Sequence, residues 1–351
     1  MDLSRPDRGG GGWLCLDNRR DHTPCMTPHM GEMAAPVSFA PVAFVEAHGL
    51  RLHYLEWGTA AAGGGGGAGG GRGAAAAAAT AAPAGIVLVH GLGSGAHIWD
   101  LVAPLLSVAG SPRVVALDQR GHGESDQPDS GYDFATIVAD LAGFMDAVGL
   151  TQPSVLVGHS WGASVVLHYA ASHPDRTAGV ALVDGGTGSP GERWSWAEAE
   201  TRLRPPDIDG MLWSELHERI SSNNGAYADS RTEAVGRSLF HVDAEGRVTR
   251  RFRIPNHMQV VRALWEQRPA ELLSQVRCPI LVLPARQTTE PSEMNSAKGA
   301  AVARVQQIQP RARVRWFENT VHDVPLQRPE ELADELSAFA REVLELRAAS
   351  S

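Results

Sequence analysis

The chain has 351 residues, 43% of them hydrophobic, enough to bury a full core in one large domain or two smaller ones. A net charge of −9 argues against the basic face that a nucleic-acid or anionic-membrane partner would require. Three cysteines (Cys15, Cys25 and Cys278) show neither Cys-x-x-Cys pairing nor metal-ligand spacing, so neither a metal nor an oxidising compartment is implied.

Residues 1–35 are rich in Gly, Arg, Asp and Pro without hydrophobic periodicity and read as a disordered leader. Arg19-Arg20 is followed by Asp21-His22-Thr23-Pro24, not by the apolar stretch of a secretory signal, and Met26, Met30 and Met33 are alternative starts. No run of about 18 apolar residues is present to span a membrane, so the expectation is a soluble, cytoplasmic protein. Residues 36–351 then form one domain. Val42–Ala47 and Leu50–Trp57, joined by His48-Gly49, read as an antiparallel hairpin. Residues 59–85, almost wholly Gly and Ala, read as a flexible loop that lengthens a turn without dividing the domain.

Strands and helices alternate from there. Ile86–His90 is a strand, Ile98–Ser107 a helix and Arg113–Asp118 a strand. Tyr132–Val148 places Ile137, Leu141, Phe144, Met145 and Val148 on one helical face. Ser154-Val155-Leu156-Val157, bounded by Pro153, is a short buried strand, and Ala163–Ser172 has helical spacing. Gly179–Asp184, Pro279–Pro284 and Arg313–Phe317 are further strands, with a helix over Ser296–Gln307. Pro329–Leu346 closes the chain as a helix with Leu332, Leu336, Phe339, Val343 and Leu346 as its buried stripe. This alternation predicts an α/β fold, a largely parallel sheet covered on both faces.

One segment breaks the rhythm. Residues 186–275 hold helical patterns and no core strand, and read as a helical lid over the carboxyl ends of the strands. Trp194, Trp196, Trp213 and Trp265 lie in it, expected mainly as packing residues. So do twelve arginines, expected to solvate its outer face unless one of them grips a substrate carboxylate.

Between a strand and a helix stands Gly158-His159-Ser160-Trp161-Gly162, a Gly-x-Ser-x-Gly pentapeptide. A serine on so sharp a turn is strained and exposed, the geometry of a nucleophile elbow. With His90-Gly91-Leu92-Gly93 after the first core strand, Asp118-Gln119-Arg120-Gly121-His122-Gly123-Glu124-Ser125 after the next, and His322 before the last helix, the chain resembles the α/β-hydrolase fold superfamily in its lidded, serine-nucleophile branch. The resemblance covers roughly residues 42–346. It implies an eight-stranded, mostly parallel sheet with the site beneath the lid.

It also implies roles. Ser160 is the nucleophile, and His322, in Asn319-Thr320-Val321-His322-Asp323, is its base. Other histidines fall in motif loops, helices or the lid. The backbone N–H groups of Leu92 and Trp161 are the expected oxyanion donors. The acid departs from the pattern. The usual Gly-x-x-Asp turn reads here Pro284-Ala285-Arg286-Gln287-Thr288-Thr289-Glu290, with Thr288 where the aspartate would stand. Two carboxylates compete: Asp184, at the end of the preceding strand as in the haloalkane dehalogenases, and Glu290, which could reach back from a bent loop. Epoxide hydrolases and haloalkane dehalogenases carry aspartate where Ser160 stands, which disfavours both activities. The reading is a hydrolase acting through an acyl-enzyme on a carboxylic ester or lactone of a small, largely apolar molecule. Amide or N-terminal peptide cleavage, carbon–carbon hydrolysis, perhydrolysis and a non-catalytic receptor stay open. No cofactor is implied, and the oligomeric state is not written in the sequence.

Overall fold

The computed structural model of the protein describes residues 40, 42–58, 84–107, 111–223, 229–287 and 293–349. The expected leader, Cys15, Cys25, Glu290 and nearly all of the Gly/Ala stretch lie outside the described residues. Gly85 does not belong to that stretch: it opens a strand, where its N–H donates to Ser154 Oγ at 3.1 Å.

The first hairpin, β1 (Val42–Ala47) and β2 (Leu50–Trp57), has the predicted bounds. Its two turn residues, His48 and Gly49, both take positive φ (50° and 76°), which matches the right-handed twist of the strands they join. Next come β3 (Gly85–Val89), α1 (Ala103–Leu106), β4 (Arg113–Leu117), α2 (Phe134–Ala147), β5 (Ser154–His159), α3 (Trp161–Ser172) and β6 (Thr177–Val183). The helix expected over Ile98–Ser107 is broken in two: a 3-10 turn over Ala96–Trp99, then α1. Pro104 explains the break, since it has no N–H for the carbonyl of Asp100 and its ring would strike it.

Between β6 and the next core strand lie α4 (Trp196–Leu203), α5 (Trp213–Asn223), α6 (Ser230–Ser238), a small hairpin of β7 (Phe240–Val242) and β8 (Val248–Arg250), α7 (Ile254–Glu266) and α8 (Pro269–Gln275). The hairpin forms its own two-stranded sheet, so the segment adds nothing to the main one. The chain returns through β9 (Ile280–Leu283), β10 (Ala285–Arg286), α9 (Glu293–Ile308), β11 (Arg313–Val314), β12 (Phe317–Glu318), α10 (Val324–Gln327) and α11 (Pro329–Ala348). The single strand expected over Arg313–Phe317 is two: β11 pairs with β9 and β12 with β10. Pro284 separates the partners, because it offers no N–H to the ladder.

The main sheet has eight strands in the order β1-β2-β4-β3-β5-β6-β9-β11. Its first three strands pair antiparallel and the remainder parallel, so it is mostly parallel, as predicted. Every residue of β3, β5 and β6 is buried, and the period of two divides them between two cores. Ile86, Leu88, Val155 and Val157 face α1 and α11, packing with Trp99, Leu336 and Phe339. Val87, Val89, Leu156 and Leu182 face α2 and α3, packing with Phe144, Met145, Val166 and Tyr169. The buried stripe of α11 stops at Val343: Leu346 is 56% exposed. One residue later Arg347 already reaches the carbonyl of Thr177, the start of β6, so no sheet lies beneath Leu346. No described helix is long and apolar enough to cross a membrane.

Candidate active site

The parallel strands all end on one side, and their loops build the site. β5 ends at His159 and α3 starts at Trp161, leaving Ser160 alone to turn the chain at φ 55°, ψ −120°. A non-glycine residue held there stores roughly 1–3 kcal/mol of strain. Its neighbours must be small. A Cβ on Gly158 would overlap the backbone of Gly162, and one on Gly162 would overlap the carbonyls of Val89 and His90. The Ser160 N–H donates to Val183 O at 2.9 Å, which ties the turn to β6.

His322 and Asp184 complete a continuous chain of hydrogen bonds. Ser160 Oγ lies 2.8 Å from His322 Nε2, and His322 Nδ1 lies 2.7 Å from Asp184 Oδ2. With Nδ1–H donating to the carboxylate, Nε2 is free to accept the serine proton. Burial alone would depress the His322 pKa, but the bond to Asp184 and its charge outweigh that and hold it above the ordinary histidine value. Of the two carboxylates weighed from the sequence, Asp184 lies beside the imidazole, and Glu290 falls outside the described residues.

Asp184 follows directly on β6, and its side chain is 1% exposed. Burial would raise its pKa, but Lys298 and His322 reverse the sign and keep it ionised, well below the usual carboxylate range. Oδ2 accepts the hydrogen bond from His322 Nδ1–H. Oδ1 accepts from the Ala285 N–H at 2.9 Å and from Lys298 Nζ at 2.6 Å. Lys298 also donates to Ala285 O at 2.7 Å. Sequence reasoning missed this residue, although a signal was present: Lys298 is the only lysine in a chain otherwise supplied with arginine. A compact ammonium with rotatable donors bridges a carboxylate and a carbonyl in a way a planar guanidinium does not.

The motif loops fasten one another. His159 Nε2–H donates to His322 O at 2.9 Å, so the residue before the serine pins the loop that carries the histidine. Burial pushes the His159 pKa down to about 3, which keeps that ring neutral. Asp118, buried after β4, accepts from His53 Nδ1–H at 2.6 Å, from the Ala96 N–H at 2.6 Å and from the Glu124 N–H at 3.0 Å. Gln119 brackets His90: its side chain donates to His90 O at 2.8 Å and its N–H to His90 Nε2 at 3.0 Å. His122 Nε2 accepts the Gly93 N–H at 3.1 Å. The loop carrying Leu92 is thereby held beside Ser160. Trp161, at the first position of α3, has an N–H with no acceptor inside the helix. No described residue accepts from the Leu92 N–H.

A cavity of about 200 Å³ opens over Ser160. Leu92, Gly93 and Trp161 line its floor, while Leu203, Phe240, Phe252, Val261 and Leu264 from the segment between β6 and β9 line the other side. That segment is anchored to the loop after β4. Phe252 stacks on His122 at 3.7 Å, His122 stacks on Trp161, and Arg251 pairs with Glu124 at 2.6 Å. Trp194, Trp196, Trp213 and Trp265 are not among the residues around Ser160. They pack within the segment, as in the bond from Trp265 Nε1–H to Trp194 O at 2.8 Å. No group of three or more His, Cys, Asp or Glu among the described residues is placed to hold a metal.

The model of the alpha/beta hydrolase family matches residues 86–335. Epoxide hydrolase B of Mycobacterium tuberculosis is 43% identical over 97 residues, 27% of this chain and 27% of that protein, so the match spans about a quarter of the relative's length. Among solved structures, E-2-(acetamidomethylene)succinate hydrolase superposes with a TM-score of 0.68 at 20% identity, over 86% of this chain and 99% of the other. The enol-lactonase from Burkholderia xenovorans LB400 gives 0.59 at 19% identity, over 86% and 100%. At these identities the structural likeness speaks to fold.

Proposed function

The chain belongs to the alpha/beta hydrolase family, and we propose that it is a serine hydrolase that cleaves a carboxylic ester or lactone of a small molecule through an acyl-enzyme. One observation carries the reading: the unbroken path Ser160 Oγ, His322, Asp184, with steps of 2.8 and 2.7 Å. As Ser160 Oγ attacks the substrate carbonyl, His322 Nε2 takes its proton and Asp184 stabilises the imidazolium that forms. The Leu92 and Trp161 N–H groups receive the oxyanion. His322 then protonates the departing alkoxide, and a water activated by the same nitrogen releases the acid and restores Ser160.

Lys298 acts on this relay at one remove. It keeps Asp184 ionised and its Oδ1 engaged, so that Oδ2 stays on His322. The segment from 186 to 275 serves as the lid: its apolar side chains close the cavity, exclude water and set the size of the acyl or alcohol group admitted. The elbow residue separates this reading from epoxide or haloalkane chemistry, which the resemblance associates with aspartate at that position.

The test is intact-mass analysis after incubation with a fluorophosphonate, on wild type and Ser160→Ala. The expected result is one adduct on wild type and none on the variant, followed by turnover of short-chain aryl esters that depends on Ser160. Well-folded wild type that takes no adduct and turns over no ester would overturn the proposal.

A further inference from the structure

The cavity above Ser160 is apolar in shape and unbalanced in charge. Its lining includes Arg202, Arg204 and Arg250, and no aspartate or glutamate. His257, the other titratable side chain from the segment, is pushed down to about 4 by burial and stays neutral. The imbalance is local. On the same segment Arg231 pairs with Asp229, Arg251 with Glu124, Arg253 with Asp129 and Arg262 with Glu266. These four arginines have carboxylate partners, whereas the residues lining the cavity include three arginines and no carboxylate.

Arg250 carries the argument furthest. It ends β8 and is half-buried. Its Nη2 donates to Pro206 O at 2.7 Å, while its Nε is buried and meets no acceptor among the described residues. Asp209 is near, but it is engaged by the Arg250 backbone N–H at 3.0 Å. Burial lowers the Arg250 pKa, with Asp209 and Asp207 offsetting only part of that effect. Arg250 lines the cavity, and the acceptor its guanidinium meets, the Pro206 carbonyl, is neutral, so an acceptor bearing negative charge in the cavity would be attracted to it.

We propose that Arg250, with Arg202 and Arg204 at the rim, binds a carboxylate of the substrate, so that the preferred substrate is a half-ester or lactone derived from a short dicarboxylic acid, its second carboxylate held by Arg250 while its ester carbonyl lies at Ser160. The inference rests on the serine-hydrolase reading, and its test has an arm that does not. A carboxylate fixed at one end of a cavity of about 200 Å³ orients the ester carbonyl at the other, which raises effective concentration at the nucleophile.

Two measurements decide it. The first compares kcat/KM for mono-4-nitrophenyl glutarate with that for the neutral 4-nitrophenyl butyrate. The ratio of anionic to neutral substrate should fall roughly 10- to 100-fold in Arg250→Gln, the worth of one charge-assisted pair, and recover in part in Arg250→Lys. The second measures glutarate binding by calorimetry to Ser160→Ala, with and without Arg250→Gln, and needs no turnover. Glutarate should bind, glutaramide should not, and Arg250→Gln should abolish binding. If Arg250→Gln is too unstable to assay, Arg202→Gln and Arg204→Gln should each weaken glutarate several-fold. A ratio that moves less than twofold, or equal binding of glutarate and glutaramide, overturns the proposal. Glutarate binding without ester turnover would uphold the carboxylate site at Arg250 while overturning the hydrolase reading and the half-ester assignment that rests on it.

Discussion

The carboxyl ends of β3, β5 and β6 and the segment between β6 and β9 face each other across one cavity, and they are built by different rules. On the strand side Ser160 and Asp184 follow fully buried strands, His322 lies in the loop after β12, and each is held by bonds to a neighbouring element. Ser160 is tied to Val183, His322 to His159, and Asp184 to Ala285 and Lys298. On the opposite side the lining is mostly apolar contact plus a few arginines, in a segment joined to the core through Phe252, Arg251, Arg253 and Asn256 among others. Under the proposed reading the first side makes and breaks bonds with little regard to what is attached, and the second decides what is attached. Substitutions on the strand side should therefore lower turnover of every substrate together. Those across the cavity should change the ranking of substrates.

The largest effect is expected at Asp184. Asp184→Asn removes the charge that stabilises the imidazolium and the acceptor that fixes its tautomer, so kcat should fall by roughly 10³–10⁴-fold on anionic and neutral esters alike. The pH profile checks the assignment. His322 must be neutral to act as a base, so activity rises as pH passes upward through its pKa, which lies above the ordinary histidine value because Asp184 overcomes the effect of burial. Without that charge the acid limb should move to lower pH in whatever activity remains. Glu290→Gln is the comparison variant. A large loss there with little loss in Asp184→Asn would transfer the acid's role and break the strand-side half of the contrast.

How much of this was legible follows the same division. Gly158 is confined by the backbone of Gly162 and Ala163, and Gly162 by that of Val89 and His90, so neither admits a side chain and the pattern survives in the sequence as a motif. A largely parallel sheet covered on both faces follows from apolar runs between helical periods; the order of its strands does not. Asp184 could be placed only as one of two carboxylates, because its choice depends on a pairing with His322 across 138 positions. Lys298 was missed because it approaches Asp184 from α9, in a helix whose own pattern is unremarkable in charge. The cavity lining was beyond reach for a related reason. Leu203, Phe240 and Phe252 come from three separate elements whose mutual placement is set by tertiary packing rather than by any period.

Lys298→Met should act less strongly and in one direction. The ammonium depresses the pKa of Asp184 and, through space, that of His322. Removing it should leave His322 more basic, so the acid limb of kcat/KM should move to higher pH, opposite to Asp184→Asn. Asp184 loses one of two bonds to Oδ1, and a fall of about tenfold in kcat at the optimum is expected from a charge-assisted bond of this kind. Lys298→Arg restores the charge without the bridging geometry and should recover the limb more than the rate. A profile unmoved in Lys298→Met would reduce Lys298 to a packing residue.

The smallest effect is expected on the outer face of the segment between β6 and β9, where it sharpens the contrast most. Arg262 sits on α7, its Nε 2.6 Å from Glu266 and its guanidinium over the rings of Trp196 and Trp265 at 4.7 and 4.8 Å. In sequence it is indistinguishable from Arg250: one more arginine in an arginine-rich segment. Its pairing differs, since carboxylate and aromatic partners already satisfy a side chain that is 44% exposed. Arg262→Gln should lower stability by no more than about 1.5 kcal/mol, because exposed ion pairs and cation–π contacts are each worth little in water. It should leave the ratio of anionic to neutral ester turnover within twofold of wild type. Urea midpoints and that ratio, measured side by side with Arg250→Gln, separate a built carboxylate site from a general positive field. If Arg262→Gln lowered the ratio as far as Arg250→Gln does, the arginines would be acting through their summed charge. Raising the salt concentration would then erase both effects together.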